Sequence, residues 1–257
     1  MEFQQKNCRR GALLCLLFLV AGTAWSKPAQ EDWNNRLQAV RTHLAAGEHR
    51  QALDLVIPLQ REMMHRIESG PGAAKALAIT ALSRALAEAG LNDMEAAAWD
   101  WYAAQALDSG IAETDLAPFG AAGAALKALP RLEVEPGEPI DPEKLRDASK
   151  PCDPKKDEEC VTRPELVQRP STPAYPGALR ASCIEGTVVV SSIIDEEGKI
   201  RTPWLKKQPE SPVMTLSALE SLRSWRFKPA TLKNEPVKVY YELNVNFKAQ
   251  QPCGKKR

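Results

Sequence analysis

The chain has 257 residues, 44% of them apolar and 26% charged, a composition of ordinary soluble protein that excludes a polytopic membrane protein. Thirty-four basic residues against 33 acidic ones leave a formal charge of +1, so no global basic field exists to gather nucleic acid. The three histidines, His43, His49 and His65, lie far from the cysteines, which weighs against a metalloenzyme or a His-based hydrolase.

Lys6, Arg9 and Arg10 precede an apolar run from Gly11 to Ala24, and Ala24-Trp25-Ser26 sets small residues one and three before a cut after Ser26. Residues 1–26 therefore read as a signal peptide. The run is about 14 residues, short of the roughly 20 that a spanning helix needs. The expected location is the periplasm, with inner-membrane anchoring as the alternative if the signal stays uncut.

Residues 27–129 are alanine-rich and helical in pattern. Trp33, Leu37, Val40 and Leu44 form one stripe, and Gly47 ends it. Ala52, Val56, Met63 and Ile67 form a second, in which Pro58 is expected to kink the helix or restart it. Ala78, Leu82, Leu86 and Ala89 make a third, closed by Gly90. Met94, Ala98, Trp101 and Gln105 mark a fourth, which also carries Trp99 and Tyr102. Four helices give two antiparallel hairpins. The segments from Leu44 to Leu53 and from Leu86 to Ala97 resemble the inter-helix turn of a tetratricopeptide repeat, with glycines 43 positions apart instead of about 34. This region is expected to be a tetratricopeptide-like scaffold.

Residues 130–169 form a linker of proline and charge; ten of the chain's 20 prolines fall between Pro130 and Pro176. Such a stretch is not expected to bury a core. Fully extended as polyproline II, at about 3.1 Å per residue, the 47 residues from Pro130 to Pro176 reach on the order of 145 Å at most.

Residues 170–257 form the last domain and are the basic third of the chain. From Gly186 the period changes to two, with Val188, Val190, Ser192 and Ile194 on one face. Asp195-Glu-Glu-Gly198-Lys199 supplies a hairpin turn to a second strand, Ile200 to Lys207, which Pro203 marks as an edge. Ser211-Pro212 offers an N-cap and a first-turn proline for a helix with Met214, Ala218, Leu222 and Trp225 on one face. Ser217, Glu220, Ser221 and Ser224 lie opposite, so the sheet is the expected partner of the helix. Val237 to Phe247 alternates apolar and polar as a third strand. The fold class is α+β: helical hairpins, a Pro-rich linker and a β-β-α-β unit with a three-stranded antiparallel sheet.

Tyr175-Pro176, Glu185-Gly186-Thr187-Val188, Asp195 with Gly198, Ala218-Leu219 before Trp225-Arg226-Phe227-Lys228-Pro229-Ala230, and Pro236-Val237 leading to Val245-Asn246-Phe247 stand in order. As a set they resemble the C-terminal domain of TonB-family energy transducers, over about residues 170–248. The resemblance implies a periplasmic module that supports TonB-dependent transport by docking on an outer-membrane receptor, taking up a plug-proximal receptor peptide as an added strand. Three strands leave open edges that template such pairing. With the first strand central, Tyr240, Glu242, Asn244 and Asn246 of the last strand are the expected partner-binding residues.

Transducers of this family keep a histidine on an uncleaved membrane helix for the proton-driven motor; residues 11–25 contain none. Inner-membrane motor proteins thus remain an open second partner. The alternative is an envelope adaptor that binds through its helical region without energy coupling. No catalytic or metal motif is present, so no enzyme activity, cofactor, metal, nucleic acid or small-molecule substrate is expected. Of the four mature cysteines, Cys152 and Cys160 are expected to pair in the exported linker. Cys183 precedes the first strand and Cys253 follows the antiparallel third, so these two are expected to pair as well.

Overall fold

A computed structural model describes residues 27–67, 71–129, 146–147, 160–168, 184–205 and 211–248, together with Tyr175 and Leu179. Residues 1–26, Cys152, Cys183 and Cys253 lie outside the described residues. The architecture is α+β. No described helix is long and apolar enough to cross a membrane.

The helical region consists of α1 (Lys27–Ala45), α2 (His49–Arg66), α3 (Pro71–Gly90), α4 (Met94–Leu107) and a shorter α5 (Gly120–Lys127) that the sequence pattern did not mark. The stripe residues Trp33, Leu37, Val40 and Leu44 are all buried. Gly47, at φ +76°, turns the chain from α1 into α2 in a conformation that costs a side chain strain. Contrary to the expected interruption, α2 continues through Pro58, with Val56, Leu59 and Met63 fully buried around it. Tertiary burial holds the turn in which proline removes a hydrogen bond. Gly90 is a site of close approach, since a Cβ there would lie 2.2 Å from the His49 ring.

The C-terminal sheet has the order β1-β8-β3-β4. Its body is β3 (Gly186–Ile194), β4 (Ile200–Leu205) and β8 (Val239–Phe247), antiparallel with β3 central as expected, while β1 (Arg146–Asp147) adds a short parallel pairing beside β8. One helix, α6 (Pro212–Leu222), lies against it, capped by the Ser211 hydroxyl, which accepts from the Met214 amide at 3.4 Å. Trp225 is buried after α6 and donates through its indole to Ser221 Oγ at 3.1 Å.

Between α6 and β8 lie three strands that the periodicity did not reveal. β5 (Arg226–Lys228) pairs with β2 (Glu165–Gln168), and β6 (Ala230–Leu232) forms a hairpin with β7 (Glu235–Val237). Lys233 and Asn234, at φ +51° and +69°, make its two-residue turn. The last residues of the expected spacer are therefore docked. Cys160, Val161 and Pro164 are buried, and the Thr162 amide donates to the Thr231 carbonyl at 2.9 Å.

The sheet is not the only partner of α6. Val213 and Leu216 join the core of the helical region, while Met214, Ala218, Leu219 and Leu222 join the core of the sheet. In exchange, Trp99, Ala103 and Ala106 of α4 belong to the sheet core. Each of these helices is buried on two sides, so the helical region and the C-terminal unit pack directly on one another.

Candidate functional site

A three-stranded antiparallel sheet has two edges, and here they differ. On β4, Pro203 has no N–H to offer. The ladder with β3 also breaks there, where Ser191 faces Trp204 but Ile193 faces Arg201, and Thr202 sits at φ +40°. Helix α4 packs along this strand, with Glu95 bound to Arg201 at 3.1 Å. These features blunt β4 as a template for pairing.

The strand β8 is regular. Its register with β3 runs unbroken from Gly186 against Phe247 to Ile194 against Val239. On its outer side β1 pairs only with Val239 and Tyr240. From Tyr241 to Phe247 the outer edge has no neighbouring strand among the described residues. An extended peptide of about six residues matches that length, at ~3.3 Å per residue.

The four expected binding residues share one face of β8. Val239, Leu243, Val245 and Phe247 point into the core, and Tyr240, Glu242, Asn244 and Asn246 alternate with them. They are not one uniform solvated row. The Tyr240 hydroxyl donates to Glu242 Oε1 at 2.7 Å, lies 3.0 Å from Ser191 Oγ, and its ring packs against Trp204 at 5.6 Å. Thr187 donates to Asn246 at 2.7 Å, leaving Asn244 and Asn246 exposed at the far end. The face is thus ordered and half-buried at one end, and open and amide-rich at the other.

The β3–β4 turn that fixes this sheet is held by Asp195. Its Oδ1 accepts from the Lys199 and Glu197 amides at 2.8 and 3.0 Å, and its Oδ2 accepts from Arg201 at 2.8 Å. Burial works against the charged form, but Arg201 and the two amides outweigh it and hold the carboxyl below its usual range. At the far end of the sheet, the Tyr175 hydroxyl donates to the Ile184 carbonyl and its ring meets Phe247 edge-on at 6.4 Å. Among the described residues, no group of three or more His, Cys, Asp or Glu is placed to hold a metal ion.

Sequence periodicity missed β2, which among the described residues has a neighbouring strand on one side only. Its Val167 is 71% exposed and Leu166 is 39% exposed. The adjacent apolar pair was legible in the sequence, but its proline-rich surroundings argued for spacer. It is shorter and more irregular than β8, because its pairing with β5 is already bulged.

Residues 171–249 match the family model described as the Gram-negative bacterial TonB protein C-terminal domain. "Protein TonB" of Vibrio cholerae serotype O1 (strain ATCC 39315 / El Tor Inaba N16961) is 31% identical over 90 residues, which cover 35% of this chain and 37% of that relative. The chain thus spans well under half the length of the curated relative it matches. No solved structure matches the chain.

Proposed function

We infer that the C-terminal unit, whose residues 171–249 match the TonB C-terminal family model, works as a TonB-type domain behind a helical region. We propose that this protein is a TonB-like, non-enzymatic docking protein of the periplasm, which supports TonB-dependent transport by receiving a segment of an outer-membrane receptor as an added strand on β8. The observation that carries the reading is the contrast between the two edges of a sheet of this family. One is disrupted by proline, bulge and packed helix; the other is regular and, among the described residues, has no neighbouring strand along Tyr241–Phe247.

Main-chain pairing supplies the affinity in such a complex, and alternate side chains tune it. Tyr240, Glu242, Asn244 and Asn246 border the incoming strand and supply that tuning. Because N–H groups alternate in direction along a strand, the receptor peptide turns only every second amide toward β8. The test is a synthetic peptide of the segment preceding the receptor plug, N-methylated at every second residue in each of the two phases. One phase abolishes binding and the other spares it. Equal effects of both phases contradict strand addition.

An adaptor that uses the helical region for outside partners is less well supported, because α3 and α4 already hold α6 and β4 of the same chain.

A further inference from the structure

Apart from the docking edge, a dense cluster of charged side chains lies between α3, α4 and α6. Arg84 binds Asp100 at 3.1 Å and Glu220 at 2.9 Å, while Arg223 reaches Asp100 and Glu88 at 3.4 Å each. Arg84, Glu88 and Asp100 come from the helical region, and Glu220 and Arg223 from the C-terminal domain. Asp100 and Glu88 are nearly inaccessible, and Arg84 keeps only 12% of its side chain exposed. At the rim, Glu95 joins Arg201 at 3.1 Å and Lys199 at 3.9 Å.

The buried Arg84–Asp100 pair at the centre is costly unless each ion meets its complement, so it fixes which surface matches which. Around them the apolar contacts interlock, Val213 and Leu216 entering one core and Trp99, Ala103 and Ala106 the other. Small side chains on α6, Ser217 and Ser221, let the helices approach, and both are buried. A helix of a free-standing two-layer unit has no reason to bury that side.

We propose that the α3–α4 face of the helical region is an interaction surface whose partner is the TonB-type domain of the same chain, recognised through α6 and β4. The helical region is a resident partner of that domain and not a receptor for outside peptides. It keeps β4 covered and leaves β8 exposed; only this last consequence rests on the strand-addition reading.

The test uses the full chain with a protease site inserted within residues 148–151, ahead of Cys152, so that the expected Cys152–Cys160 bridge stays within one half. After cutting, the two halves are followed by size-exclusion chromatography and native mass spectrometry at micromolar concentration. The halves of the otherwise unaltered protein are expected to travel together as a 1:1 complex. In a Glu95→Arg/Glu220→Arg variant, which sets like charges against Arg201 and Arg84 at accessible positions, affinity between the halves is expected to fall by about tenfold or more. Circular dichroism of the uncut variant checks that both parts stay folded. Should the variant unfold, Glu95→Gln is expected to give a smaller weakening in the same direction. Separation of the unaltered halves overturns the proposal, as does a variant complex of undiminished affinity. Receptor peptide plays no part in this readout, so its failure and that of the docking reading are distinguishable.

Discussion

Gly198 and Phe227 meet so closely that a Cβ on the glycine would lie 1.7 Å from the Phe227 carbonyl oxygen, while the Phe227 amide donates to the Gly198 carbonyl at 2.9 Å. Gly198 also sits at φ +75°. The β3–β4 turn and the segment after α6, 29 positions apart in sequence, are thus joined backbone to backbone. Replacement by alanine meets both strain and backbone overlap. Gly198→Ala is expected to destabilise the C-terminal domain by at least about 1–3 kcal/mol in urea denaturation. An unchanged midpoint would show that this junction is not needed.

Trp225 gives a second expectation. It is buried, and truncation of such a side chain costs about 3–5 kcal/mol. Its core also contains Trp99, Ala103 and Ala106 of α4. Trp225→Ala is therefore expected to raise hydrogen exchange in α4 as well as in the sheet. Loss confined to residues 170–248 would mean that the two cores melt separately.

The charged cluster predicts a pH dependence. Burial, then the neighbouring Asp100, pushes the Glu88 carboxyl up to about 8, against the pull of Arg223 and Arg84. A carboxyl whose folded pKa is raised contributes stability that is full below its unfolded pKa, near 4.5, and is lost as pH rises through about 8. Stability is expected to fall between these limits and to fall less in Glu88→Gln. Asp195 acts in the opposite sense. Its carboxyl is held down, so its contribution is present above the ordinary value of 3.8 and is lost as pH falls below it. Chemical denaturation from pH 3 to pH 9 separates the two, and a Glu88→Gln curve identical to the parent would contradict the assignment.

The sheet register bears on one of the two expected disulfides. Gly186 faces Phe247 in the ladder, so the chain before β3 and the chain after β8 leave from the same end of the sheet. Cys183–Cys253 and Cys152–Cys160 are the expected pairs. The former closes a loop of about 70 residues and contributes roughly 2–4 kcal/mol. Non-reducing peptide mapping that joined Cys152 to Cys183 would refute both.

Strands β3, β4 and β8 and helix α6 were legible because alternation, the turn from Asp195 to Gly198 and a Ser-Pro cap are local signals. The helical stripes were legible for the same reason. The packing of the two parts on each other was not, since it depends on pairs such as Arg84 with Glu220, 136 positions apart. One sign was available. In α4, Trp99, Trp101, Tyr102, Ala103 and Leu107 leave no side free of buried residues, and a helix apolar all round needs more than one partner. The alternation in β8 correctly separated core from outer face, but could not reveal that Tyr240 and Glu242 bond to each other or that β4 is bulged at Arg201–Trp204.

Docking on β8 is tested by amide hydrogen exchange of the full protein, resolved by NMR, with and without the receptor peptide. New protection is expected at alternate amides between Tyr241 and Phe247, with β4 and the helical region unchanged. Protection that appears instead on β2, on β4 or in the helical region, or binding without any protection in β8, would contradict it.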